Sequence, residues 1–341
     1  MKRYYFLLFL LLIVLGISCN NNPYERDVSS VEVTVEILDF EDDILDLAHN
    51  FSEAKRVAML KKYPVFFETF NEWILHIGVS TDSTYVAQLA EYMNSEGMEA
   101  MYEQTIPLRE RREELQQKLH SAFQYYLYYF PEKHIPQVCT FVGNGTGIAV
   151  DSSVVGIGLD SYLGADAPIY KDMGIANFTR QKMYFERIPV DFMRALAEYN
   201  DFPKQFGDSF FEEDHLLAHM IGHGRLMFFV KSMLPAEPDT VIWGYTKQQL
   251  EFCEQSEREF WKYFVSNSTQ LFGSNYMDIK RFTEDGPFTH VFTRESPGRL
   301  GQWIGFRIVE SFMKHNPDVT MHDLFAITSA QEIVQRAKYN P

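Results

Sequence analysis

The order of apolar and polar positions divides the chain into an apolar leader, a polar stretch and a long mixed remainder. Tyr4 to Leu15 is an unbroken apolar run of 12 residues behind Lys2 and Arg3. A bilayer span needs about 20 residues, so this run has the length of a signal-peptide core and not of a membrane helix. Asn20 to Ser30 is polar and lacks apolar periodicity, which predicts a flexible tether. Val31 to Ile37 alternates apolar and polar residues and predicts a half-buried strand. Helical periodicity follows from about Phe40 to Phe130. It is clearest from Leu108 to Phe130, where Leu115, Leu119, Phe123 and Leu127 recur at four-residue steps. Val138 to Val142 and Ile148 to Leu159 predict strands, with Gly143-Asn144-Gly145-Thr146-Gly147 between them as a hairpin turn. No Lys-Ser/Thr follows those glycines and no helix opens there, so they match neither common nucleotide fingerprint. Four helices are expected in the second half: Pro189 to about Tyr199, Phe211 to Leu234, Thr246 to Phe264, and Leu300 to Met313. The sum is an α+β fold, mostly helical with a small antiparallel sheet, in a single domain over residues 31–341.

Composition narrows the partners. A formal charge of −16 argues against nucleic acid. Aromatic residues at 15% promise a substantial core. Beyond Cys19 only Cys139 and Cys253 remain, too few for a disulfide framework. The candidate chemistry lies in the expected helix 211–234, where His215, His219 and His223 fall four residues apart on one face. The outer two stand about 12 Å apart along the axis, so with metal–nitrogen bonds of about 2.1 Å one ion cannot take all three. His219 and His223 keep the spacing of a zinc-peptidase helix. Met220 occupies the position of its proton-transferring glutamate, and methionine moves no protons. A metallopeptidase on His219 and His223 would need a third ligand, such as Glu257 or Glu259, and a base such as Glu198. Otherwise no cofactor is expected, with zinc the one candidate.

The N-terminal Leu15-Gly16-Ile17-Ser18-Cys19 resembles a bacterial lipobox. It implies a signal peptide over residues 1–18, acylation of Cys19 and a lipidated tether over 19–30. Several acyl chains anchor a protein firmly, at about 0.8 kcal/mol per buried methylene. Further along, Gly158 to Gly164, Met220 to Arg225, Leu234-Pro235, Gly244-Tyr245-Thr246, Pro297 to Gly305 and the terminal Ala337 to Pro341 resemble the gliding-motility lipoproteins called GldB. That resemblance implies a lipid-anchored envelope protein working through other proteins of the motility or secretion machinery, and the lack of strongly acidic residues directly after Cys19 points to an anchor facing the periplasm. The GldB family is in turn distantly similar to predicted zinc peptidases, which implies a zincin-like scaffold. In that alignment Ala197-Glu198-Tyr199-Asn200-Asp201 stands where the His-Glu-x-x-His motif belongs, and only Glu198 survives. The implied protein is a pseudo-metallopeptidase without a catalytic set. The competing expectations are a zinc peptidase and a module that binds a peptide or glycan in the old cleft.

Overall fold

The computed structural model describes residues 22–201, 211 and 213–341, and only the backbone of Asn200 and Asp201. The expected signal peptide and Cys19 lie outside the described residues.

The sheet has four strands, β1 (Ile37–Asp39), β2 (Gln137–Phe141), β3 (Ile148–Val150) and β4 (Val154–Gly158), in the order β1-β2-β4-β3. Helices of six or more residues are numbered here as α1 (Phe40–His49), α2 (Glu53–Lys62), α3 (Tyr85–Met93), α4 (Glu96–Arg109), α5 (Arg112–Tyr129) and α6 (Ile188–Leu196). They continue as α7 (Leu216–Met233), α8 (Lys247–Ser266), α9 (Tyr276–Thr283), α10 (Leu300–His315), α11 (Met321–Ala326) and α12 (Ala330–Ala337). The α+β expectation holds, but the sheet is mixed and not antiparallel: β1–β2 and β2–β4 pair in parallel, and only β3–β4 is antiparallel.

The glycine-rich segment is therefore no hairpin turn between neighbours. It carries the chain from β2 over to β3 on the far side of β4, and β4 then returns between them. The hairpin is instead β3–β4, closed where Asp151 accepts the backbone N–H groups of Ser153 and Val154. That turn also splits the single strand expected over 148–159. The glycine loop is held by the buried carboxylate of Asp160, which accepts the N–H groups of Gly143 and Gly145. Alternation along the expected strand 31–37 is real in burial, since Val35 and Ile37 are inward, yet only Ile37 onward finds a ladder partner.

Strand periodicity sorts the core into two layers. Cys139, Phe141 and Val154 face a cluster built by α1, α2, α3 and the Phe66–Ile74 segment. Ile37, Val138, Val155 and Ile157 face the larger cluster of α5, α6, α7 and α10. Gly156 lies beneath the Phe66 ring, where a Cβ would come within 2.5 Å of it. Cys139 and Cys253 are both buried free thiols, one in each layer.

The second layer is organised on α7 and α10. A Cβ on Gly224 would meet the backbone of Gly305 at 2.3 Å, and one on Gly305 would meet the carbonyl oxygen of Met220 at 1.7 Å. Met220 also packs on Gly301, so the two helices run in the same direction with backbones touching. Side chains ordinarily hold helix axes 8–10 Å apart, and glycines are what allow a closer approach. Arg225, one residue on, is 1% exposed and donates to the carbonyls of Leu324 and Ile327 at the end of α11. Burial pushes its guanidinium down to about 9.

The expected tether is a correction within the described residues. The Asn22 side chain donates to the Pro235 carbonyl at 2.7 Å, and Tyr24, 6% exposed, donates its hydroxyl to Glu310 at 2.6 Å. The Tyr24 ring also packs on Phe228, and Gln124 and Tyr125 of α5 bond the backbone of Val31 and Arg26. Aromatic burial overrides the polar look of this stretch.

Gly305→Ala is expected to destabilise the fold by about 3 kcal/mol, because backbone cannot retreat as a side chain can. Gly97→Ala in α4, where a Cβ meets nothing within 4 Å, should be neutral or mildly stabilising. Urea unfolding of both variants checks this; equal midpoints would refute the tight crossing.

Candidate functional site

The helix bearing the histidines begins at Leu216, five residues later than its periodicity suggests, and His215 is its N-cap. With extended backbone, φ −147° and ψ 165°, His215 accepts the N–H of Ala218 through Nδ1 at 3.0 Å, and its ring meets Phe272 edge-on. A capping side chain folds back on its own helix, so the expected face of three histidines shrinks to two.

His219 and His223 line a cleft of about 600 Å³ at the N-terminal ends of α7 and α10. Arg194, Asp214, Ser274, Tyr276, Lys280, Asp285, Arg299 and Gln302 are among its other walls. His219 Nε2 lies 2.9 Å from Asp214, a carboxylate that is itself largely exposed. His223, one turn deeper, is largely withdrawn from solvent. Desolvation first, then the neighbouring Arg194, His219 and Arg299 side chains, hold its imidazole well below the ordinary 6.5. It is therefore neutral at neutral pH.

A second polar centre closes the cleft. Asp285 is held between Lys182 Nζ at 2.5 Å and Arg299 Nε at 2.6 Å. Burial works to raise its carboxyl, but Arg299 and Lys182 outweigh burial and leave it below the usual range. Lys182 is pushed down to about 8, by desolvation first and by Arg299 next. Arg299 sits with φ +60°, a left-handed conformation rare for a side chain of this size, and donates to the Trp243 carbonyl at 2.6 Å. That backbone twist turns the chain into α10 and delivers the guanidinium to the cleft.

The other expected residues fall elsewhere. Ala197 to Asp201 continue α6 as a single π-helical turn that packs against α7, so both versions of the motif do come together. Ala197 is fully buried, and the half-exposed Glu198 pairs with Arg194 at 2.9 Å. The side chain of Asp201 lies outside the described residues. Glu257 opens on a different cleft, where it accepts from Arg307 and Tyr339 at 3.0 and 2.7 Å; Glu259 is exposed on α8 beside Lys262. Neither serves as a third ligand for the histidine pair.

The donor set does not fit a zinc site. Among the described residues no group of three or more His, Cys, Asp or Glu side chains is arranged to hold a metal ion. Alanine offers no lone pair, and the charges acting on His223 are cationic, which opposes a divalent ion. Sequence reasoning missed Arg194, Lys182 and Asp285 entirely, since no local pattern joins them, and met Gln302 only as part of the 297–305 stretch. Arg299 had a visible signal in Pro297-Gly298-Arg299-Leu300, where a turn precedes a helix.

A family model described as gliding motility protein GldB matches residues 21–341. No curated protein and no solved structure matches the chain. Among the described residues no helix is long and apolar enough to cross a membrane.

Two outcomes follow from the cleft. An unfolded histidine binds protons below about 6.5 while the folded His223 does not, so the unfolded state gains protons first as pH falls. Stability should decline from pH 7 towards pH 5, and His223→Gln should flatten that decline in urea titrations; an unchanged slope would refute it. Elemental analysis of protein purified without chelator should find zinc far below one per chain and unaltered in His219→Ala/His223→Ala. Near-stoichiometric zinc lost in that variant would restore the metal site.

Proposed function

Because the chain belongs to the family of gliding motility protein GldB, we propose that it is a non-catalytic, lipid-anchored cell-envelope protein that supports gliding motility and the associated protein secretion through contacts with envelope partners. The lipid is attached at Cys19, after removal of residues 1–18, and the domain faces the periplasm.

The observation that carries the non-catalytic reading is the chemistry of the cleft walls. A hydrolytic site needs a positioned nucleophile and a group that takes its proton. Met220 stands beside the histidines where that group would be, and Glu198 is engaged by Arg194. His223 has the right chemistry for a base, but burial first, and then the neighbouring Arg194 and Arg299, oppose the positive charge it would gain with a proton. Asp285 is committed to Lys182 and Arg299. The two carboxylates are thus each held by cationic neighbours, which suits a structural polar network better than a poised base.

In a gliding host, deletion should abolish spreading and the full chain should restore it. His219→Ala/His223→Ala should restore spreading as well as the unaltered protein does. Cys19→Ala should fail and leave the membrane fraction. Intact motility in the deletion strain would sink the motility role, and a folded, membrane-bound histidine variant that fails to complement would sink the non-catalytic one.

A further inference from the structure

We infer that the first described residues form a buckle that sets the domain's orientation on the bilayer, with the far end of α7 against the lipid headgroups and the histidine cleft opening away from them. This rests on the lipid anchor at Cys19 proposed above.

The inference starts from chain length. Asn22 is three residues beyond Cys19, and a chain spans at most about 3.6 Å per residue, so the Asn22 side of the domain stays within roughly 11 Å of the acylated residue. Asn22 is not free to wander, because its side chain donates to Pro235, just past the C-terminal end of α7. Tyr24 then fastens the segment to both central helices, donating to Glu310 of α10 and packing on Phe228 of α7. A free tether would let the domain rotate about Cys19, and this clasp shortens the free length to almost nothing.

Helix direction does the rest. His219 and Arg299 stand at the N-terminal ends of α7 and α10, while Asn22 and Tyr24 hold their C-terminal halves. The two helices run the same way, so the cleft and the buckle lie at opposite ends of one bundle. From His219 to Met233 the axis covers about 21 Å at 1.5 Å per residue. The membrane-facing surface around the buckle presents Glu25, Gln117, Lys118 and Glu237, with Lys118 and Glu237 ion-paired. A surface of that kind rests on headgroups and does not insert its side chains into the acyl layer.

The test uses the acylated full chain in phosphatidylethanolamine–phosphatidylglycerol vesicles carrying nitroxide headgroups. Gln117→Cys places a fluorophore at the buckle end and Tyr276→Cys places one at the cleft rim; Cys139 and Cys253 are buried and escape labelling. Fluorescence should be lost at position 117 and kept at position 276. Equal loss at both, or greater loss at 276, overturns the orientation while leaving the anchor intact. A chain whose mass carries no acyl groups overturns the anchor, and the orientation with it. Asn22→Ala/Tyr24→Ala, with circular dichroism unchanged, should abolish the contrast between the two labels. A contrast that survives the double variant removes the buckle as its cause.

Discussion

The contact of α7 with α10 at Gly224 and Gly305 is the constraint on which the rest of the second layer depends. Each helix interior gives up about 1 kcal/mol of intrinsic helical stability to hold a glycine. In return the backbones touch, and Met220 seats on Gly301 and Gly305. That proximity sets where everything else goes. It brings His219, His223 and Gln302 to a shared cleft at one end, and Phe228 and Glu310 to a shared clasp at the other. Arg225 extends the same arrangement outward, since its buried guanidinium gathers the carbonyls that end α11.

The cleft itself is an arrangement of charges in mutual balance. Lys182 and Arg299 share one carboxylate, Arg194 holds Glu198, and Asp214 sits beside His219. The 197–201 turn packs beside the histidine helix, and among the described residues no three metal-donor side chains gather there. Helix packing fixes such placement, while single side chains supply chemistry.

How much of this could be read from the chain varies with the range of the interactions involved. The helices α5, α8 and α10 were legible because their apolar periodicity is local, and the Thr246 capping box opens α8 where its sequence suggests. The start of α7 was not, because a histidine at the N-cap position reads as a fourth-residue repeat of those that follow. The sheet order was misread for a similar reason. Two apolar runs around glycines look like a hairpin, and only the pairing of β4 with β2 distinguishes the crossover. The 22–30 stretch failed on a single residue, Tyr24, whose burial against Phe228 and Glu310 no local pattern announces. The cleft's Lys182–Asp285–Arg299 cluster joins three separate segments and leaves no mark on any one of them.

Tyr24 has a mechanical meaning. A protein fastened by its N-terminus to a moving surface is loaded through that terminus, and tension travels along the backbone until a side chain resists it. Among the described residues the first such side chains are Asn22 and Tyr24. Tyr24 is bonded to α10 and packed against Phe228 of α7, so the pull divides between the two helices whose backbones already touch at Gly224 and Gly305. With the anchor proposed above, force enters at the contact between α7 and α10, ahead of the sheet and its short edge strands.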